Sequence, residues 1–210
     1  MEQEHLKSMS EEVTRLEQTV TNLLTLIKVV SQKYELRTFL SLVLRKARLL
    51  TQSDAGSIYL IDREDAIPYI CFAVSQNSSH PEKSLEYFAV PLDRSSLVGY
   101  VAVTGETLNI PDVQALPPDA PYSHKKTIEA ELDYISRSIL TLPVVTSQGE
   151  VAAVIQLINR KVSPEVVVKP DNLAEVVVPF TDWDVELLRG LSSLVGIAIE
   201  RQELMNKIYE

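Results

Sequence analysis

Residues 136–161 read SRSILTLPVVTSQGEVAAVIQLINRK, two apolar runs separated by Ser147, Gln148 and Gly149. Side chains alternate along a strand, which puts Val151, Ala153, Ile155 and Leu157 on one face and Ala152, Val154, Gln156 and Ile158 on the other. The two runs read as a hairpin, with Gly149 supplying the positive φ that its turn wants. Both faces of the second run are apolar except at Gln156. A buried amide without partners costs about 1–3 kcal/mol, so Gln156 is expected to bond to protein, to water or to something the protein captures.

Upstream lie further strand-like segments, AGSIYLID (55–62), PYICFAVS (68–75) and LEYFAVPL (85–92), separated by charged or Ser/Asn-rich turns. Apolar residues three and four apart make TFLSLVLRKARLLTQ (38–52) and SSLVGYVAVTG (95–105) helical, the latter ending at Gly105 as a C-cap. TLNIP (107–111) reads as a short strand, and the polar, Pro-rich stretch 112–136 holds a short helix near KKTIEAELDYI. Strands in succession with few crossovers predict an α+β fold, an antiparallel sheet faced by helices.

Both ends of the chain carry a second pattern. Leu6, Met9, Val13, Leu16, Val20, Leu23, Ile27, Val30 and Tyr34 keep an unbroken 3-4 spacing, which argues for a coiled coil. An amphipathic helix packed on its own domain is the other reading, because Leu24 and Leu26 widen the stripe. The C-terminal helix starts at TDWD, where Thr181 caps and Asp184 answers as in a capping box. Leu188, Leu191, Val195, Ala198, Gln202, Met205 and Tyr209 then repeat the spacing. In RKVSPEVVVKPDNLAEVVVPF (160–180) the two VVV runs read as an extra β-hairpin, packed on a neighbour or a dimer mate.

Composition removes several function classes. Acidic residues number 29 against 20 basic, a net charge of −9, which argues against a nucleic-acid partner and an anionic membrane surface. Cys71 is the single cysteine, so no intramolecular disulfide and no Cys/His zinc cluster forms, and a cytoplasmic location is expected. The apolar runs are too short for membrane insertion. His5, His80 and His124 are scattered on polar segments, giving no metal set, and no nucleophile–base pair or phosphate-cradling glycine loop marks a catalytic site.

SLVGYVAVTGETLNIPDV (96–113) and the hairpin 136–161 together resemble the GAF domains, and among them the cyclic-nucleotide-binding type of phosphodiesterases and cyanobacterial adenylyl cyclases. The resemblance covers roughly residues 35–205 and implies a central antiparallel sheet of about six strands, flanked by helices and holding a small ligand. That subgroup carries an asparagine and lysine at a strand end, then phenylalanine, three residues, aspartate and glutamate. Asn159, Phe180 and Asp184 match, while Arg160 replaces the lysine and Val185 the glutamate. An Arg160–Asp184 ion pair would tie the strand end to the helix start. Of the chemistries known on this fold, bilin attachment takes a cysteine beside a histidine, whereas Cys71 precedes Phe72 in mid-strand, and methionine-sulfoxide reduction takes several redox cysteines where the chain has one, so no covalent cofactor is expected.

By matching segments, the resemblance places ligand contacts near Ser57, Ala73 and Val74 on the first two strands, Leu97 and Val98 at a helix N-terminus, Glu131 and Ser136 in the following region, and Gln156. The amides of Leu97 and Val98 suit an anionic phosphate. Gln156 offers a purine edge both donor and acceptor, or else bonds to neighbouring protein groups. The expected organisation is an N-terminal coiled-coil helix (1–34), the GAF domain (35–205) and the end of a signalling helix (206–210). The expected function is a non-enzymatic, small-molecule-sensing regulatory domain, for which the resemblance suggests cAMP or cGMP as the ligand, homodimeric through its terminal helices and coupled to a downstream output domain or protein. A dimerisation or interaction scaffold with a vestigial pocket is the rival.

Overall fold

The structure is a computed structural model and describes residues 2–30, 35–63, 68–81, 89–124 and 134–209. One sheet of seven strands forms its centre: β1 (Ser53–Asp62), β2 (Tyr69–Asn77), β3 (Ala89–Pro91), β4 (Leu108–Ile110), β5 (Ile139–Val145), β6 (Val151–Lys161) and β7 (Val177–Val178). Their order is β3-β2-β1-β6-β5-β4, with β7 beside the end of β6, and every pairing is antiparallel. The helices are α1 (Glu2–Val30), α2 (Leu36–Thr51), α3 (Leu97–Thr104), α4 (Leu173–Val176) and α5 (Asp182–Tyr209). Residues 125–133 of the expected short helix, Glu131 among them, and the start of the 85–92 strand lie outside the described residues, and Tyr134 and Ile135 are not helical.

The alternation read in β6 sorts its side chains as expected. Ala153, Ile155 and Leu157 join Leu40, Leu44 and Ile58 in a core beneath α2 and α5, while Val154 joins Tyr59, Ile70 and Ile139 beneath α3. Both sides of the strand are therefore covered, which is why neither could be polar throughout. Gly149 in the β5–β6 turn and Gly105 after α3 take φ of 83° and 71°, the left-handed conformation that glycine adopts without steric cost.

Two expectations are corrected. The 160–180 segment is not a hairpin: only Val177 and Val178 form strand, pairing with Lys161 and Arg160, and α4 precedes them. The first valine run is diverted because Lys161 Nζ donates to the carbonyls of Pro164 and Val166, and the Val168 amide donates to Ser79 Oγ. The first part of the C-terminal 3-4 seam is an internal surface rather than a coiled-coil one, while Ala198, Gln202 and Met205 beyond it are half-buried. Leu188, Leu191 and Val195 are fully buried against the sheet, since the apolar faces of β5 and β6 give them a partner inside the domain.

The N-terminal seam behaves in the opposite way. α1 lies along α2 and the start of α5 by a polar stripe in which Thr19 and Asn22 are buried and Lys46 donates to Asn22 Oδ1. Met9, Val13, Leu16 and Val20 remain 50–54% exposed.

Candidate functional site

A row of polar side chains crosses the α3 face of the sheet. Register aligns Ser75, Ser57, Gln156 and Thr141 on β2, β1, β6 and β5, and directly opposed residues point to the same side. Ser57 Oγ donates to Ser75 Oγ at 3.3 Å, and Gln156 Nε2 donates to Thr141 Oγ1 at 3.1 Å. Tyr59, two residues along β1 and so on the same face, donates its hydroxyl to Gln156 Oε1 at 3.3 Å. Burial pushes the Tyr59 hydroxyl far above its usual titration range, with a Ser57 hydrogen bond opposing, so it stays protonated and a donor. Gln156 thus has protein partners on both its oxygen and its nitrogen, and retains a second N–H and a second lone pair.

α3 packs on the β5–β6 part of this face. Ser96 caps it by accepting from the Gly99 amide at 3.0 Å, and the first helical bond runs from Tyr100 to Ser96. The amides of Leu97 and Val98 precede that bond and have no partner within the helix. Their side chains belong to the same apolar cluster as Tyr59 and Val154. Gly99 has to be glycine, because a Cβ there would stand 2.1 Å from the carbonyl oxygen of Asp93 in the turn that leads into the helix.

The expected ligand residues divide accordingly. Ser57, Leu97, Val98 and Gln156 gather on the α3 face, whereas Val74 packs into the opposite core with Ala73 against it. A bulge opposite Ile58 and Tyr59, where Val74 and Phe72 are paired and Ala73 is skipped, turns this part of β2 over. Ser136 is buried, and its carbonyl accepts from Gln114 Nε2.

The strand-end motif is an anchoring device. Asn159 sits at φ 56° with its side chain wholly buried, a conformation asparagine tolerates better than most residues. Its Oδ1 accepts from the Arg137 amide, and its Nδ2 donates to the Tyr134 hydroxyl and the Ile135 carbonyl. Arg160 Nε lies 2.9 Å from Asp184 Oδ2, the ion pair expected from the resemblance. Asp184 also accepts from the amide and hydroxyl of Thr181, while its own amide donates to Thr181 Oγ1, completing the capping box. Phe180 is buried in the α2–α5 core.

Beside this motif lies a buried cluster that the sequence reading missed. Lys161 Nζ is 3.4 Å from Asp54 Oδ1, with side-chain exposures of 4% and 0%. Asp54 also accepts from Ser79 Oγ and from the Tyr134 hydroxyl. Burial, with the Asp54 charge added, holds the Tyr134 hydroxyl well above the ordinary tyrosine range. Charged residues at strand ends look like solvent-facing ones in a sequence; only the β1–β6 register brings these two together.

A family model for the GAF domain matches residues 35–199, and the chain belongs to that family, whose members are regulatory small-molecule-sensing domains. The chain is 26% identical over 185 residues to the dual 3',5'-cyclic-AMP and -GMP phosphodiesterase 11A of Takifugu rubripes, with 86% of this chain and 18% of that protein covered. It is 25% identical over 186 residues to the cGMP-specific 3',5'-cyclic phosphodiesterase of Drosophila melanogaster, covering 85% of this chain and 15% of that one. The chain therefore spans under a fifth of the length of these relatives. The fold is shared with the GAF domain of a phosphoenolpyruvate-protein phosphotransferase from Coxiella burnetii, at TM-score 0.64 and 17% identity over 90% of this chain and 96% of that one. It is shared also with the phycocyanobilin-bound GAF domain of a cyanobacterial phytochrome, at TM-score 0.63 and 15% identity over 89% and 96%.

Among the described residues no helix is long and apolar enough to cross a membrane, and no group of His, Cys, Asp and Glu is arranged to hold a metal. Burial and the nearby Asp62 charge raise the Cys71 thiol above its ordinary range.

Proposed function

We propose that this chain is a sensor domain that binds a cyclic nucleotide, cAMP or cGMP, on the α3 face of its sheet and acts as a homodimer through its terminal helices on a downstream output domain or protein. The observation that carries the reading is the polar row of Ser57, Gln156 and Thr141 on the sheet face whose apolar cluster includes Leu97 and Val98 at the start of α3. Gln156 supplies a base edge with its remaining donor and acceptor, Ser57 a hydroxyl, and the Leu97 and Val98 amides the phosphate. The cyclic-nucleotide phosphodiesterases among its relatives support the same ligand class. The Arg160–Asp184 pair joins the strand carrying Gln156 to the start of α5, so a ligand that prefers one placement of that helix shifts its geometry.

A specific observation favours the scaffold reading as the alternative. Gln156 is already bonded on both polar ends by Tyr59 and Thr141, which answers its burial without a ligand. Thermal unfolding of the purified chain with cAMP, with cGMP and without ligand separates the two. A ligand at 100 times its dissociation constant adds about 2.7 kcal/mol, a rise of roughly 5 to 11 °C for a chain of this size. A rise with either nucleotide, reduced in Ser57→Ala, is the expected result; no rise with either leaves the scaffold. Gln156→Leu is a poor first variant, because it strands the hydroxyls of Tyr59 and Thr141 and lowers stability whether or not a ligand binds.

A further inference from the structure

The face that α1 turns to the domain is the unexpected one. Arg15, Thr19 and Asn22 lie on one stripe at i, i+4 and i+7; Thr19 and Asn22 are buried and the half-exposed Arg15 reaches to α5, while the apolar seam looks out. Apolar burial alone would roll the helix the other way, so polar contacts must set its orientation. Asn22 takes its contact from Lys46 on α2, and Arg15 takes its own at the start of α5. The guanidinium carbon of Arg15 stands 3.8 Å from the centroid of the Trp183 ring, within cation–π range. Its Nη2 lies 3.8 Å from Asp184 Oδ1.

That oxygen is the second half of the observation. Asp184 is fully buried; its Oδ2 is engaged by Thr181 and Arg160, whereas Oδ1 is buried with no hydrogen-bond partner. A buried carboxylate oxygen without a partner is costly, and Arg15 brings it a counter-charge from α1. Asp184 therefore stands between two arginines, one on the strand that carries Gln156 and one on the helix that carries the exposed seam.

We propose that Arg15 is a positioning residue that clasps α1 to Trp183 and Asp184, holding the polar stripe inward and presenting Met9, Val13, Leu16 and Val20 to the α1 of a second copy of this chain. This rests on the dimer reading above and assigns its surface. The occupant is a second copy because the unbroken heptad spacing is self-complementary and, among the described residues, no element of the same chain covers it. In α5 the matching positions Leu188, Leu191 and Val195 are consumed by the sheet. The clasp also links the dimer surface to the candidate site, because Arg15 and Arg160 share one carboxylate.

Trp183 is the single tryptophan, so its fluorescence reports the clasp directly. Sedimentation equilibrium and iodide quenching are measured on the whole chain and on Arg15→Ala, Arg15→Lys and Leu16→Glu, with far-ultraviolet circular dichroism confirming folding. The wild type is expected to be dimeric with Trp183 shielded. Arg15→Ala increases quenching and weakens the dimer about tenfold, the equivalent of one cation–π contact. Arg15→Lys, which keeps the charge and loses the flat stacking plane, falls between. Leu16→Glu becomes monomeric with Trp183 still shielded. Unchanged quenching and association in Arg15→Ala overturns the clasp. A Leu16→Glu chain that remains dimeric overturns the assigned surface. A wild type that stays monomeric overturns the dimer reading itself, and the quenching of Arg15→Ala then decides the clasp alone.

Discussion

α1 and α5 carry the same 3-4 apolar spacing and meet opposite fates. In α5 the positions Leu188, Leu191 and Val195 are wholly buried against β5 and β6; in α1 the equivalent positions stay about half exposed while polar neighbours face the domain. Periodicity reports that a helix has an apolar side and says nothing about what covers it. The difference arises from what lies next to each helix. α5 follows a strand end and is tethered by the Arg160–Asp184 pair over an apolar sheet face, whereas α1 meets the outer surfaces of α2 and α5.

The sharpest way to break this contrast is to truncate one residue of each seam. Leu191→Ala should destabilise by about 2–5 kcal/mol, since it opens a cavity in a filled core. Urea unfolding checks it; a loss under about 1 kcal/mol would mean that α5 is not packed on the sheet as described. A smaller effect comes from the hydroxyls that the domain buries on its polar rows. Tyr59 has its folded pKa raised above the ordinary value, so the stability it contributes is fully present below about pH 10 and is lost as pH rises from there towards the folded value. Stability should then fall by up to about 1.4 kcal/mol per pH unit for each such tyrosine, and Tyr59→Phe should flatten the decline. Equal alkaline slopes in both proteins would place the Tyr59 hydroxyl in water. Smallest of all, Leu16→Ala should change the stability of the unassociated chain by no more than about 0.5 kcal/mol, because half of its side chain is already in solvent. The effect of that substitution belongs in the dimerisation constant.

The fold was legible because its signals are local. The 136–161 hairpin, the Gly105 cap, the TDWD capping box and the α3 helix each announce themselves within a few residues, and each forms as expected. The errors fall where a segment's partner is distant. The valine runs of 160–180 look like a hairpin until Lys161 and Ser79 claim the backbone of the first. Val74 looks like a pocket residue until the bulge in β2 turns it to the other core. Asp54 and Lys161 carry no sequence signal, because a strand-end charge is usually solvated and nothing within either segment marks it as buried.

Gln156 shows the boundary most plainly. Its sequence context established that an amide would be buried in an apolar strand and would need partners, since leaving it without them would remove about 1–3 kcal/mol from a stability of only about 5–15 kcal/mol. Which partners it takes was decided by the register of β1, β5 and β6, which places Tyr59 and Thr141 on its two polar ends. The sequence alone determined the α+β class, the hairpin, the caps and the terminal helices, because period and turn chemistry act between near neighbours. The tertiary structure alone decided which helix seam is covered and which polar groups meet, because pairing across the sheet depends on residues up to about a hundred positions apart.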